Sequence, residues 1–155
     1  MIGSARGGAG RGILGKSIFR GKLFVATSGY LASAFDLVNV RDLDLIRQAR
    51  AYCSRLVVGV YTDDYVERVT GRAPVVPYDE RRALVARFRG VDETVAHVGD
   101  TVDLGPNAVI FSVADAAGTP TTEGSVRLTP DCESASPVLR DALKHQYHAS
   151  AAAVA

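Results

Sequence analysis

SAFDLVNVRDLDLI, residues 33–46, has the pattern of a strand end, a tight turn and the first turns of a helix. Asn39 is a favourable N-cap residue, and Asp42 falls in the first helical turn, where a carboxylate stabilises the helix itself. Arg41 could bind an anion bidentately or pair with Asp42. A helix start also attracts phosphate, because its first N–H groups are unpaired. The stretch therefore predicts either a capped helix or an anion site.

The segments around this stretch alternate between strand and helix patterns. Residues 22–35 predict one or two short strands, and the continuous apolar run Arg55–Tyr61 predicts a parallel strand buried on both faces. Between them, four apolar residues fall on one helical face: Leu43, Ile46, Ala49 and Cys53. The later elements are predicted as helices at residues 63–68 and 78–89, strands at 94–97, 108–113 and 125–128, and a final helix at 137–148.

This alternation indicates an α/β domain with a parallel sheet and right-handed crossovers. Ligands bind such sheets at the carboxyl ends of the strands, where helices begin, and residues 33–42 lie at a position of that kind. We predict a glycine- and arginine-rich arm at residues 1–22, one domain at residues 23–148 and an alanine-rich tail at residues 149–155. The arm has seven glycines, five Lys or Arg residues and no acid, a composition that does not build a core.

Composition excludes several classes of function. The 155 residues carry 18 basic and 17 acidic side chains, so no global field attracts the chain to nucleic acid or to a membrane surface. Cys53 and Cys132 lie far apart and form no CxxC pair, which argues against a disulfide framework or a zinc cluster and suits a reducing compartment. The apolar runs are shorter than the roughly 20 residues of a membrane span. We expect a cytoplasmic protein.

GRGILGKS, residues 10–17, satisfies the phosphate-loop pattern G-x-x-x-x-G-K-[ST]. Such a loop needs a buried strand before it and a helix after it, so that backbone N–H groups converge on phosphate. The preceding MIGSARGGA has no apolar run, and Gly21 interrupts the chain four residues after Ser17. We therefore do not expect a nucleotide-binding loop here.

Residues 29–97 resemble the cytidylyltransferase family, especially the small glycerol-3-phosphate cytidylyltransferase-like proteins, and the resemblance continues more weakly to about residue 143. The matching positions belong to the scaffold: Phe35-Asp36-Leu37, Thr62-Asp63-Asp64, Pro74, Pro77, Glu80, Arg81 and Val91-Asp92-Glu93. The resemblance implies a Rossmann-like three-layer nucleotidyltransferase fold with a parallel sheet, commonly as a homodimer. It also implies transfer of CMP from CTP to a phosphorylated alcohol such as glycerol 3-phosphate, assisted by Mg²⁺.

The positions that carry the family's chemistry differ. Asn39 and Asp42 replace the two histidines of its His-x-Gly-His signature, and Arg41 replaces the glycine. Further departures are Ser33 and Ala34 for Gly-Thr, Thr70 for a phosphate-binding Lys, Val113-Ala114-Asp115-Ala116 for Gly-Asp-Asp-Trp, and Pro130 for the Arg of Arg-Thr-x-Gly-Ile-Ser-Thr. Of that last motif, only Ser136 resembles the closing Thr.

These losses matter because phosphoryl chemistry depends on cations and donors placed around developing charge. A neutral Asn39 amide cannot supply the charge of an imidazolium, and Asp42 reverses the sign. The loss of one such donor commonly lowers the rate by about 10²–10³. We therefore predict a degenerate site with catalytic positions at Asn39, Arg41 and Asp42, no protein-bound metal, and CTP and Mg²⁺ as ligands only if the family activity survives. The predicted ligand-binding residues are Ser33, Ala34, Phe35, Asp36, Arg72, Asp115, Ser134 and Ser136.

Three hypotheses about function remain open. The favoured one is a pseudoenzyme or repurposed enzyme whose ligand is a nucleotide, a small phosphorylated molecule or another small molecule. The second is a slow nucleotidyltransferase that uses Asn39, Arg41 and Ser136. The third is a partner-binding module that uses the arm as its contact surface. Replacement cations for a phosphate site could come from Arg41, Arg68, Arg72, Arg127, Lys16 or Lys22.

We expect no catalytic role for the three histidines or for the tyrosines near the strand edges. His97, His145 and His148 all miss the signature positions, and the last two form an i, i+3 pair that we expect to be inert. The tyrosines near the strand edges are expected to pack at the rim of the core: Tyr30, Tyr52, Tyr61, Tyr65 and Tyr78.

Overall fold

The computed structural model describes residues 26–100, 102–114 and 125–143, together with the backbone of two short strands at residues 18–19 and 22–23. The strands are β1 (Ile18–Phe19), β2 (Lys22–Leu23), β3 (Ala26–Ser33), β4 (Cys53–Tyr61), β5 (Glu93–His97), β6 (Ala108–Val113) and β7 (Val126–Leu128). The helices are α1 (Val40–Arg50), α2 (Asp63–Thr70), α3 (Tyr78–Val85) and the helical residues 136–143, here α4.

Five strands form one parallel sheet in the order β5-β4-β3-β6-β7, and β1 pairs with β2 in a separate antiparallel ribbon. The first strand of the large sheet, β3, is therefore central, and the chain adds strands to one side and then to the other. At such a reversal the loops after neighbouring strands separate and leave a crevice at the carboxyl edge. The predicted α/β fold with a parallel sheet is confirmed.

Helices cover both faces of the sheet, which gives three layers. On one face, α1 and α3 contribute Leu45, Ile46, Ala49 and Val85 to a core with Leu31, Leu56, Val58 and Phe111. On the other face, Val66 of α2 packs against Tyr30, Ala32, Val57 and Tyr61. Because β3 and β4 are buried on both faces, their apolar runs are continuous and do not alternate.

Several predicted boundaries are confirmed, and three local predictions are wrong. Strand β6 has the predicted bounds, whereas the helix predicted at residues 78–89 ends early, at Val85. Cys53 was expected on the first helix but begins β4, because the chain has already left α1 at Ala51. Leu43 was expected on the buried face, but it is 48% exposed, and Leu45 is buried instead. The buried face of the helix is therefore formed by Leu45, Ile46 and Ala49.

Tyr30 and Tyr61 were expected at the rim of the core but lie inside it, each 2% exposed. Tyr30 fits because Gly59, on the neighbouring strand, has no side chain; a β-carbon there would collide with the Tyr30 ring and hydroxyl. These two residues are core packing, as their position within central strands requires. No helix within the described ranges is long and apolar enough to cross a membrane.

Candidate functional site

A cavity of about 230 Å³ lies at the carboxyl edge of the sheet, between the ends of β3 and β6 and the start of α1. It brings together nine of the predicted site residues: Ser33, Ala34, Phe35, Asp36, Asn39, Arg41, Asp42, Ser134 and Ser136. The other lining residues are Leu45, Val113, Ala114, Pro137 and Arg140. The structure therefore brings these residues together at the carboxyl edge of the sheet, and ligand binding by them stays a prediction.

The floor of the cavity is an unusual backbone turn. Phe35 and Leu37, neither of them glycine, have positive φ angles of 50° and 57°. Such conformations cost energy and persist only where surrounding contacts hold them. Here the buried Asp36 between them holds the turn, since its Oδ1 accepts hydrogen bonds from the backbone N–H groups of Val75 and Val76, both at 3.0 Å. Asp36 is therefore committed to the scaffold.

Asn39 and Asp42 cap helix α1 reciprocally. The Asn39 Oδ1 accepts a hydrogen bond from the backbone N–H of Arg41 at 2.9 Å, and the Asp42 Oδ2 accepts one from the backbone N–H of Asn39 at 2.9 Å. This arrangement is a capping box, which satisfies helix N–H groups that would otherwise lack partners. Both positions at which the family signature has histidines are thus occupied by the helix cap.

The electrostatics of the cavity are balanced. Burial raises the pKa of Asp42, while its hydrogen bond from Asn39 and the charges of Arg140 and Arg41 partly oppose that shift. The charged lining comprises two arginines, Arg41 and Arg140, and two carboxyl groups, Asp36 and Asp42. With all four ionised, the cavity has no formal net charge. A ligand with several negative charges would therefore meet little net attraction.

Arg140 is the cavity residue that the sequence analysis did not single out. Its Nη2 donates to the Asp36 carbonyl at 2.6 Å, and its Nε lies 3.4 Å from Asp36 Oδ2. A basic residue four positions after Ser136 on a predicted helix lies on the same face, so the i, i+4 spacing was the available signal. The Ser136 hydroxyl also reaches the turn, through a hydrogen bond to the Leu37 carbonyl at 3.4 Å.

Arg72 was predicted to bind ligand, but it lines a smaller neighbouring cavity of about 90 Å³. Arg68 and Arg127 do not join either cavity lining: Arg68 donates to the Val98 carbonyl and covers the Tyr65 ring, and Arg127 is exposed on β7. Some residues named in the sequence analysis lie outside the described residues: Asp115, Lys16, His145, His148 and the phosphate-loop pattern at residues 10–17. The side chain of Lys22 also lies outside them.

Arg81 is a buried positioning residue that the resemblance assigned to the scaffold. Its side chain is fully buried, and its guanidinium donates to the carbonyls of Val76 and Ala34 and to Asp63 Oδ1. It thus joins the end of β3, the start of α2 and the loop before α3. These are the segments that shape the cavity edge behind Asp36.

His97 belongs to the opposite face of the sheet. It is buried, its Nδ1 shares a hydrogen bond with the Tyr30 hydroxyl at 2.9 Å, and its ring stacks on Tyr61. Burial lowers the pKa of His97, and the charge of Asp100 partly opposes this. Its role is therefore core packing, in agreement with its position outside the signature.

The described residues do not form a protein-made magnesium site. Within these ranges no three His, Cys, Asp or Glu side chains converge on one position that could hold a metal ion. Asp36 and Asp42, the carboxylates of the cavity, already accept backbone hydrogen bonds, and two arginines lie beside them. Mg²⁺ usually keeps several waters and is bound through one or two carboxylates together with substrate phosphates, so an ion at this cavity would depend on a phosphate-bearing ligand.

Fold and cavity define a Rossmann-like α/β protein of the nucleotidyltransferase type. The family described as cytidylyltransferase-like matches residues 30–115, more than half of the chain. The chain therefore belongs to the cytidylyltransferase-like family.

Two relatives are proteins named bifunctional protein HldE. That of Acidiphilium cryptum is 40% identical over 74 residues, which cover 47% of this chain and 15% of the relative. That of Shewanella loihica is 34% identical over 109 residues, which cover 64% of this chain and 22% of the relative. The chain thus spans less than a quarter of these relatives.

A solved structure has the same fold. The lipopolysaccharide core biosynthesis protein from Thermoplasma volcanium superposes with a TM-score of 0.57 at 16% identity, covering 70% of this chain and 99% of that one.

Proposed function

We propose that this chain binds a small anionic ligand in the cavity and does not catalyse CMP transfer at the rate of a competent cytidylyltransferase. The observation that carries the proposal is the capping box. Asn39 and Asp42 occupy the two histidine positions and are hydrogen-bonded within the helix start. Their oxygens are occupied by the cap, and neither side chain supplies the positive charge that a histidine would bring to a reacting phosphate.

Charge supports the same conclusion. Attack on an α-phosphate builds negative charge that a transferase stabilises with cations and donors. In this cavity, Arg41 and Arg140 are offset by Asp36 and Asp42. Like charges about 4 Å apart repel by about 4 kcal/mol at an effective dielectric constant of 20, so a triphosphate beside either carboxylate is disfavoured. An anion with a single charge meets less of this repulsion than a triphosphate does.

A slow nucleotidyltransferase is the second candidate. Asn39, Arg41 and Ser136, the three residues that such an enzyme would use, line the same cavity. Arg140 would add a second cation there. This candidate predicts measurable CMP transfer that depends on Arg41.

Pyrophosphate release separates the two candidates. We expect no detectable release from CTP, Mg²⁺ and a panel of phosphorylated alcohols that includes glycerol 3-phosphate, because two signature donors are replaced and the loss of even one commonly lowers the rate by about 10²–10³. The proposal is wrong if the unmodified protein turns over, Arg41→Ala abolishes the turnover and Arg47→Ala preserves it. Arg47 is the matched control, since it lies on the same helix with its side chain 69% exposed.

A further inference from the structure

Arg140 lies where two cavities meet. The larger cavity, of about 230 Å³, and the smaller one, of about 90 Å³, share three lining residues: Ala34, Asp36 and Arg140. Of these, Arg140 alone carries a positive charge. A ligand group placed in either cavity beside the shared wall therefore meets this guanidinium.

The guanidinium keeps unused donors. An arginine has five N–H groups, and within the described residues the protein acceptor of Arg140 is the Asp36 carbonyl, 2.6 Å from Nη2. Its Nε is buried and lies 3.4 Å from Asp36 Oδ2 without forming a hydrogen bond. The other oxygen of that carboxylate, Oδ1, already accepts from Val75 and Val76. Asp36 thus fixes the guanidinium without using all of its donors.

The surroundings restrict what this cation can bind. A guanidinium binds carboxylate and phosphate through paired hydrogen bonds. The cavity volume of about 230 Å³ is below the roughly 300–1,000 Å³ of most small-molecule sites. Asp36 and Asp42 offset the two arginines, so each further negative charge on a ligand gains less attraction. Size and charge both favour a small ligand with one compact anionic group.

We infer that Arg140 is the anion-binding residue of this cavity, and that its ligand carries one phosphate-monoester or carboxylate group and is not a nucleoside triphosphate. The inference rests on the proposed function, because it requires that the cavity binds an anion. It adds the residue that holds the anion and the size of the ligand. The Ser134 and Ser136 hydroxyls line the same cavity, but they hydrogen-bond to each other at 3.0 Å and Ser136 donates to the Leu37 carbonyl, so the inference rests on the guanidinium.

The test is a nuclear magnetic resonance titration of the full, ¹⁵N-labelled chain at constant ionic strength. The probes are methyl phosphate, acetate, and CTP with and without Mg²⁺. We expect methyl phosphate or acetate to shift the backbone amides of Ala34, Asp36 and Ser136, and the stronger of the two identifies the anionic group. CTP should bind more weakly than that probe.

Variants of Arg140 test whether this residue contacts the anion. Arg140→Gln should weaken binding of the stronger probe about tenfold or more, as expected for the loss of charge-assisted hydrogen bonds. Arg140→Lys should retain part of the affinity, and Arg47→Gln, an exposed arginine on α1, should retain all of it. Amide shifts outside the cavity report whether each variant is folded. If Arg140→Gln does not fold, Arg140→Lys still tests the paired geometry, because it keeps the charge.

Three outcomes overturn the inference. Unchanged affinity in folded Arg140 variants, with loss in Arg41→Gln, leaves the proposed function standing and assigns the anion to Arg41. Tighter binding of CTP than of both small anions refutes the ligand class. If no probe shifts any cavity amide, the proposed function fails and the inference fails with it.

Discussion

Asp42 shows how single residues of the cavity are constrained by the helix that they cap. Burial raises the pKa of its carboxyl group, and the Asn39 N–H together with the Arg140 and Arg41 charges counteracts only part of that shift. The ionised form is therefore less stable in the fold than in water. A raised carboxyl pKa inside a cavity is a feature of functional sites, although structural caps produce it too.

Replacing Asp42 by asparagine tests this pKa. Because the folded pKa is above the unfolded value, the wild-type protein is most stable relative to Asp42→Asn at low pH, and it loses that advantage as pH rises through the folded pKa. At pH 7 we expect the variant to be at least as stable, since its amide oxygen still accepts from Asn39. Urea unfolding between pH 3.5 and 7 measures the difference.

Asp44→Asn is the matched control on the same helix. The backbone N–H of Asp131 and the Arg47 side chain lower the pKa of Asp44. Its carboxylate therefore stabilises the fold above the unfolded pKa, and that stabilisation is lost as pH falls. The two variants should show opposite pH trends. Parallel trends would contradict the assignment at Asp42.

The roles of these cavity residues could be predicted from the sequence to different degrees. Asn39 followed by an acid three positions later is a local pattern, so the cap was predictable. For Arg140 the available signal was its i, i+4 spacing from Ser136, but its contact with Asp36 joins positions that are 104 residues apart and could not be predicted from that spacing. From one sequence it is not possible to predict which arginine of the last helix faces the cavity.

At the scale of elements, the cavity edge depends on the loop at residues 71–77. Asp36 accepts from Val75 and Val76, and Arg81 of α3 donates to the Val76 carbonyl at 2.8 Å. The loop is thus tied to the turn after β3 from one side and to α3 from the other. This double attachment explains how the backbone at Phe35 and Leu37 keeps its positive φ angles.

Arg81→Lys should break this connection. A lysine cannot reach three acceptors from one position, so the partly buried carbonyls of Val76 and Ala34 lose donors, each at a cost of about 1–3 kcal/mol. We expect the free energy of unfolding to fall by about 2–6 kcal/mol. Arg82→Lys, on the exposed side of the same helix, should change it by less than about 0.5 kcal/mol. A similar small change for both lysines would refute the role of Arg81.

Element types were predictable where the apolar pattern was strong, as in β4 and β6. Errors arose where helical phase mattered. Placing Leu43 and Cys53 on one helical face assumed a helix that continues to residue 53, whereas the chain turns at Ala51 and starts β4 at Cys53. Periodicity identifies a helix, but its end depends on where the next strand must begin.

At the scale of the whole molecule, the two faces of the sheet have different roles. The cavity with its charged residues lies at the carboxyl edge, beside the face that α1 covers. The other face holds an aromatic cluster, in which His97 contacts Tyr30, Tyr61 and Tyr65. Burial raises the pKa of Tyr30 to about 12, so this tyrosine stays neutral near physiological pH. Of the Tyr30–His97 pair, His97 is therefore the residue whose charge can change near physiological pH.

Global stability should consequently fall in mild acid. Since burial lowers the folded pKa of His97, the unfolded chain binds the proton first as pH drops below about 6.5, and stability then decreases by at most about 1.4 kcal/mol per pH unit. His97→Gln can keep the hydrogen bond to Tyr30 but cannot be protonated. Urea unfolding of both proteins from pH 7.5 to 5 should show a steeper decline for the wild type. His145 and His148 are present in both, so the difference between the curves belongs to His97, and equal slopes would show that its protonation is not coupled to folding.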